Sequence, residues 1–368
     1  DNLRFALRSP RQFGDLPAQI PNVFPAHSQV SQSLNETSVV SIQDSLHAEA
    51  PRATDIYYRK GEEIATREVY GQVLAYLGNQ NKLIYALDGD TKNSTFSQDF
   101  QKAHPNRFIE CFIAEQNMAG VALGLSKRGK IPFVSTFAAF LTRAFDQIRM
   151  ADQSKANIKF VGSHAGVSIG DDGASQMGLE DMAMFGTIPE SVIFHPCDGV
   201  STAKILPLML KHSGISYLRT LRPKTPVIYK DDEKFVIGGS KILRQAQNDM
   251  LTVVAVGITV HEALKAYELL KKEGISIRVI DCYCVKPVDK ETLGECINET
   301  KEPIIITVED HYEHGGLGDF VLSAISSTGT KVLKMAVSKI PRSGTKDELL
   351  EYVGINAARI AEKVKSVL

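Results

Sequence analysis

Short runs of β-branched and aromatic residues recur along most of this chain, separated by segments with helical periodicity. No other feature constrains the fold as strongly. From residue 82 the runs read KLIYALDGD, RFIECFIA, KIPFVSTF, NIKFVGSH, SVIFHP and ISYLRTLRP. Between them stand helical stretches such as AFLTRAFDQIRMADQ and GVSTAKILPLMLKHSG. Parallel strands need a crossover of helical length, so this rhythm predicts a parallel sheet covered on both faces. Ahead of the first run, Ile64, Val69, Val73, Leu74 and Leu77 fall on one helical face, with Gly78 expected as the stop.

A charged, glycine-containing stretch, PVIYKDDEKFVIGGSK, breaks the rhythm near residue 230, and a second series follows: LTVVAVG, HEALKAYELLKKEG, SIRVIDCY, PIIITVED, GGLGDFVLSAISS and KVLKMAVS. A chain of 368 residues is too long for one typical core. The expected architecture is therefore α/β with two domains, residues 61–230 and 231–368, each a mostly parallel sheet with helices on both faces. Residues 1–60, with scattered Pro, Gln and Ser and no sustained period, read as an irregular arm or linker.

Charge excludes some function classes. With 42 basic and 43 acidic residues the net charge is −1, which argues against a nucleic-acid or membrane-surface protein. No apolar stretch is long enough to span a bilayer, and no basic-then-apolar leader opens the chain. The five cysteines are sparse and odd in number, and Cys282 and Cys284 have no second pair beside them. Buried, reduced thiols in a cytoplasmic protein are expected rather than a zinc site.

Four stretches carry candidate chemistry. In CFIAEQNMAG, Glu115 leaves an apolar run just as a small-residue helix begins. Such an acid is either a desolvated proton donor or a first-turn residue stabilised by the helix dipole. In STFAAFLTRAFDQIR, Phe137 follows a strand end, where a flat ligand can stack; packing of Phe137, Phe140 and Phe145 between helices is the competing reading. VGSHAGVSIGDDGASQMGLED gathers His164, Asp171, Asp172, Ser175 and Gln176 among glycines that let backbone approach a ligand. It is neither a Walker sequence nor GxGxxG. Arg67, Arg219 and Arg222 stand at element ends, where a guanidinium can grip a phosphate or simply form a surface ion pair.

Taken together, these segments resemble transketolase of the animal-like type. The matching stretches are IATREVYGQ, LDGDTKNSTF, HPNRFIECFIAEQNMAG, STFAAFLTRAFDQIRMA, GSHAGVSIGDDGASQMGLEDMAMF, VKPVDKETL, TVEDHYEHGGLGD and KIPRSG, spread from about residue 62 to the end. The resemblance implies thiamine diphosphate as cofactor. It makes Glu115 the glutamate that shares a proton with the aminopyrimidine and so activates the thiazolium, whose ring system then serves as an electron sink. It places Phe137 and Phe140 beside the pyrimidine and Gln176 near the cofactor and donor end of the crevice. Arg67, Ser94 and Arg222 match residues that bind the sugar phosphate, His164 one near its phosphate end, and Asp172 an acid that reads a sugar hydroxyl. Glu115 and His164 are the residues expected to act in catalysis, and Asp90 ranks below them all. Residues from about 230 onward are assigned to packing and dimer contacts.

One departure qualifies the match. Transketolases hold the diphosphate and its divalent metal on an N-terminal domain carrying GDG followed, further on, by Asn; LDGDT reverses the order and GDDGASQ lacks the later Asn. The expectation is a pyrimidine-side half-site, with Mg2+ or Ca2+ bound by a partner chain or domain and no metal ligand here. The chain is then either the C-terminal subunit of a split transketolase, in a 2+2 or homo-oligomeric assembly, or a truncated product, and is inactive alone. The reaction implied is transfer of a two-carbon ketol unit from a ketose phosphate such as xylulose 5-phosphate to an aldose phosphate such as ribose 5-phosphate. The β chain of a 2-oxoacid dehydrogenase and deoxyxylulose-phosphate synthase share the strand–Glu–helix element but lack the combination of LDGDTKNS, GSHAGVSIGDDG and Arg222. A non-catalytic interaction subunit has no physical need of a buried acid in a polar cleft.

Overall fold

The computed structural model describes residues 56–368, so the arm expected over residues 1–60 lies almost wholly outside them. The described strands are β1 (Glu63–Ala65), β2 (Ile84–Asp88), β3 (Phe108–Glu110), β4 (Ile131–Phe137), β5 (Ile158–Ser163), β6 (Val192–Phe194), β7 (Ile215–Arg219) and β8 (Lys224–Pro226). They continue as β9 (Lys241–Arg244), β10 (Thr252–Ala255), β11 (Arg278–Asp281), β12 (Cys284–Lys286), β13 (Ile304–Tyr312) and β14 (Lys331–Val337). A seven-stranded sheet has the order β12-β6-β7-β5-β4-β2-β3 and a five-stranded one β14-β13-β10-β11-β9; β1 and β8 form a small antiparallel pair. Both large sheets are parallel except at one edge, where β12 runs against β6 and β9 against β11. This is the mostly parallel, helix-covered α/β architecture that the alternating runs predict.

Burial on both faces explains the near-continuous apolar strands. Along β4, Phe133 enters one hydrophobic core and Val134 the other; on β5, Val161 and Phe160 divide in the same way. The helices Thr66–Gln80, Gly199–Lys211 and Ile258–Lys272 feed the first core, and Glu115–Lys127, Phe145–Gln153 and Leu317–Ala324 feed the second. Lys159 is the polar exception on β5. Its ammonium, fully buried, donates to the carbonyls of His212 at 2.6 Å and Gly214 at 3.2 Å, and burial lowers its pKa to about 7.

Two local expectations change. The helix from Thr66 runs through Gly78 to Gln80 and is ended by extended Asn81. Gly78 is small because a Cβ there would strike the His104 ring and Phe100, so it serves close packing rather than termination. The seventh strand of the first sheet, β12, comes from the later series of strands, which the sequence rhythm did not reveal. All five cysteines are buried with free thiols. Among the described residues, no helix is long and apolar enough to cross a membrane.

Parallel register brings chemistry to one edge. Asp88 pairs with Ser135, Phe137 with Ser163, and Gly162 with Arg219, so the carboxyl ends of β2, β4, β5 and β7 open on the same side. Ligands bind at that end of open α/β sheets.

Candidate active site

At the outer strand the regular run stops earlier than its composition predicts. β3 ends at Glu110, the chain bends through Phe112 at a φ of 53°, and Glu115 is the first residue of its helix. Ala114 occupies the N-cap and provides no side-chain cap. Glu115 is thus both a first-turn acid and buried, only 2% exposed. Its Oε2 lies 3.1 Å from an Arg143 guanidinium nitrogen but outside hydrogen-bonding geometry, so this buried atom has no hydrogen-bond partner. Buried acceptors are nearly always satisfied, and among the described residues Glu115 Oε2 has only the Arg143 cation opposite it. Arg143 belongs to the 3-10 segment Phe140–Ala144, which packs against the Glu115 helix and starts with the second aromatic candidate.

Phe137, at the end of β4, is the centre of a ring ladder. The His164 imidazole stacks on it at 3.7 Å and 15°, and Phe140 at 5.1 Å and 17°. Phe137 is 8% exposed and Phe140 half-buried, so the ladder forms a wall rather than a helix-to-helix core contact. His164 sits in the left-handed region at φ 57°. Its Nδ1 is 2.7 Å from Ser163 Oγ, and its Nε2 faces Asp172 at 3.8 Å.

Two guanidinium groups converge beside this wall. Arg222 Nη2 lies 3.5 Å from the same Asp172, while its Nη1 donates to the Ile169 carbonyl. Arg67 Nη1 donates to the Ser94 carbonyl at 2.8 Å, and its buried Nε has no partner. Burial, and then the nearby Arg222 cation, hold the Arg67 pKa below its usual value. Arg222 has the Asp172 carboxylate opposite it and Arg67 has no carboxylate at ion-pair distance among the described residues, so the pair carries net positive charge that can receive an anion. The Ser94 segment is itself fixed: the Asp88 carboxylate at the end of β2 accepts from Thr91 N, Thr95 Oγ1 and Ser97 Oγ within 2.8 Å. Burial nevertheless raises the Asp88 pKa to about 6.

Thus Arg67, Ser94, Phe137, Phe140, His164, Asp172 and Arg222 form one connected group, with Glu115 joined to it through the Phe140–Ala144 segment. Gln176 lies half-buried on the turn Ala174–Gln176 and makes no side-chain hydrogen bond to the group. Asp171 and Ser175 are exposed, and Asp90 lies at the surface with φ 64°. Arg219 is corrected. It is fully buried, bound to Asp181 at 2.8 Å and to the Gly178 carbonyl at 2.6 Å, and so is no phosphate grip. The loop glycines also answer to protein rather than ligand: a Cβ on Gly166 would strike Asp310, and one on Gly173 would sit 2.6 Å from Ser343 Oγ. Asp88, Arg143 and Asp310 escaped the sequence reading, since none lies in a pattern distinguishable from ordinary strand-end acids or helix cations.

Burial, reinforced by the Arg67 and Arg222 cations, pushes the His164 pKa down to about 3. Neutral imidazole is the folded form, whereas the unfolded chain takes up a proton at about 6.5. Between these two values the unfolded state binds more protons, so stability falls as pH drops through this window and is fully present above it. His212, lowered to about 3, and His311, lowered to about 4, act in the same sense. Melting followed from pH 7 to 4 should show this slope, and His164→Asn should reduce it by about one proton's worth. An unchanged slope would mean that His164 titrates normally.

Comparison with known proteins fits this geometry. The family model for the transketolase pyrimidine binding domain matches residues 62–227, and that for the transketolase C-terminal domain matches residues 240–360. A structure described as a split gene transketolase, inactive β4 tetramer, superposes with a TM-score of 0.75 and 38% identity, covering 83% of this chain and 98% of that one. The chain belongs to the transketolase family. Among curated members, mouse transketolase-like protein 2 is 55% identical and human transketolase 51% identical, each over 313 residues, 84% of this chain and 50% of the relative. The chain thus spans about half the length of the curated transketolases it matches. The family implies use of thiamine diphosphate. Among the described residues, no group of three or more His, Cys, Asp or Glu side chains is arranged to hold a metal.

Proposed function

We propose that this chain provides the pyrimidine-side half of a transketolase site, completed by a separate chain or domain that binds the cofactor's diphosphate and its Mg2+ or Ca2+. The observation that carries this reading is Glu115, a buried acid with one oxygen lacking a hydrogen-bond partner, on a helix that packs against the segment where Phe140 of the aromatic wall stands. Its environment fits a heterocycle with an exchangeable N–H. When bound, thiamine diphosphate supplies a nucleophilic thiazolium carbon and the electron sink for the two-carbon unit.

The chain's own residues perform the rest. Glu115 Oε2 holds the proton shared with the aminopyrimidine, and Phe137 and Phe140 provide its flat contact. Arg67 and Arg222 bind the phosphate of the ketose donor and then of the aldose acceptor, setting the reacting carbonyl by charge-assisted contacts. The neutral His164 imidazole adds no positive charge and offers Nε2 to a sugar hydroxyl, with Asp172 opposite. Gln176 is assigned to the donor end. The reaction on this reading is ketol transfer between phosphorylated sugars such as xylulose 5-phosphate and ribose 5-phosphate. Phe112 and Ile113, 67% and 69% exposed and just ahead of Glu115, support a partner closing over the cofactor.

Calorimetry tests the half-site directly. Thiamine diphosphate with magnesium should bind weakly to the chain alone, and tight binding and ketol transfer should appear only on mixing with a chain that carries GDG…N. Tight one-to-one binding without that partner would overturn the split architecture.

A further inference from the structure

The loop that carries Asp172 is shaped by the second sheet. Its neck closes where Gly166 N donates to the Gly178 carbonyl at 2.8 Å, beside a bridge between Ala165 and Gly178. Arg219 clamps that neck, donating to the carbonyls of Gly178 at 2.6 Å and Asp310 at 2.8 Å. Just inside it, the fully buried Asp310 carboxylate from β13 accepts two consecutive backbone amides, Val167 N on Oδ1 at 2.7 Å and Ser168 N on Oδ2 at 3.0 Å. The next residue, Ile169, presents the carbonyl that receives Arg222 Nη1, and Arg222 in turn faces Asp172. Farther along, Gly170 lies against the Gly344 carbonyl and Gly173 against Ser343, while the helix Lys346–Val353 packs on the turn Val167–Ile169.

We infer that Asp310 is a positioning residue for substrate binding: by fixing the amides of Val167 and Ser168 it sets the Ile169 carbonyl and hence the direction of the Arg222 guanidinium. This rests on the reading of Arg67, Arg222 and Asp172 as the sugar-phosphate site. It also gives residues beyond 230 a part in that site, where packing and dimer contacts alone were expected. A carboxylate bridging two adjacent N–H groups is a stronger constraint than either bond alone, because it fixes the orientation of the peptide between them. Asn in its place keeps the volume but turns an NH2 toward one of those donors, leaving a buried N–H unsatisfied.

Asp310→Asn in the full chain should make the amides of residues 166–172 exchange hydrogen faster while β10 and β13 keep their protection. In the assembled enzyme it should raise KM for a phosphorylated donor on the order of tenfold, with kcat within about threefold. Gly166→Ala drives a Cβ into the same carboxylate from the loop side and should reproduce the pattern, which covers the case of a D310N chain that does not fold. Unchanged loop exchange, loss of protection spread evenly over both sheets, or an unchanged KM overturns the inference. If the parent assembly shows no ketol transfer, the proposed function fails instead, and the exchange measurement still decides whether Asp310 holds the loop.

Discussion

Glu115→Gln, introduced into the chain and assembled with a partner that carries the diphosphate site, is expected to lower turnover on the order of a hundredfold or more. The amide keeps the shape of the side chain and fills the same buried corner. What it cannot do is hold and return a proton at Oε2, the atom without a hydrogen-bond partner. Sugar-phosphate binding, which the proposed function assigns to Arg67 and Arg222 rather than to Glu115, should persist. The measurement is therefore paired: kcat in a coupled assay, and equilibrium binding of ribose 5-phosphate. Turnover within a few fold of the parent would remove Glu115 from the proton path. Lost binding alongside lost turnover would show that the substitution had disturbed the Phe140–Ala144 segment, where Arg143 faces the acid.

Arg222→Ala should act on the opposite term. A hydrogen bond from a charged group to a phosphate contributes roughly 1.5–3 kcal/mol, so KM for phosphorylated sugars should rise about tenfold to a hundredfold. Unphosphorylated analogues, which have no anion to lose, should be affected far less. The contrast is what matters, because Arg222 also holds the Ile169 carbonyl and faces Asp172. If loosening of that loop were its whole role, phosphorylated and unphosphorylated substrates would lose equally. Steady-state KM for the two classes separates these outcomes.

Much of this site was legible in the sequence because its residues sit at the boundaries that periodicity reveals. The β/α rhythm places Glu115 at a strand-to-helix corner and Phe137 at a strand end, and both stand there. Phe137 and Arg222 are far in the chain from the loop that carries His164 and Asp172 yet meet it, since parallel register aligns the ends of β4, β5 and β7. What escaped depends on contacts that only tertiary packing creates. Arg219 and Arg222 are three residues apart in the same arginine-rich stretch, and nothing in the letters tells the fully buried one, locked to Asp181, from the half-exposed one beside Asp172. Glycines 166 and 173 look like ligand-approach positions in a polar loop, but the groups that come close are the side chains of Asp310 and Ser343. Gly78 has the appearance of a helix stop and serves instead to admit the His104 ring.

The provenance of β12 bears on how this polypeptide can be divided. Strand β6 is matched on its outer border by Cys284–Lys286, roughly ninety residues downstream, and Lys286 extends the join by donating to the Gly186 carbonyl at 3.1 Å. A fragment cut near residue 230 would lack that cover and leave the backbone N–H and C=O groups along the outer border of β6 unpaired, open to pairing with another copy. A cut upstream of β1 leaves the seam whole, whereas one between the two sheets opens it.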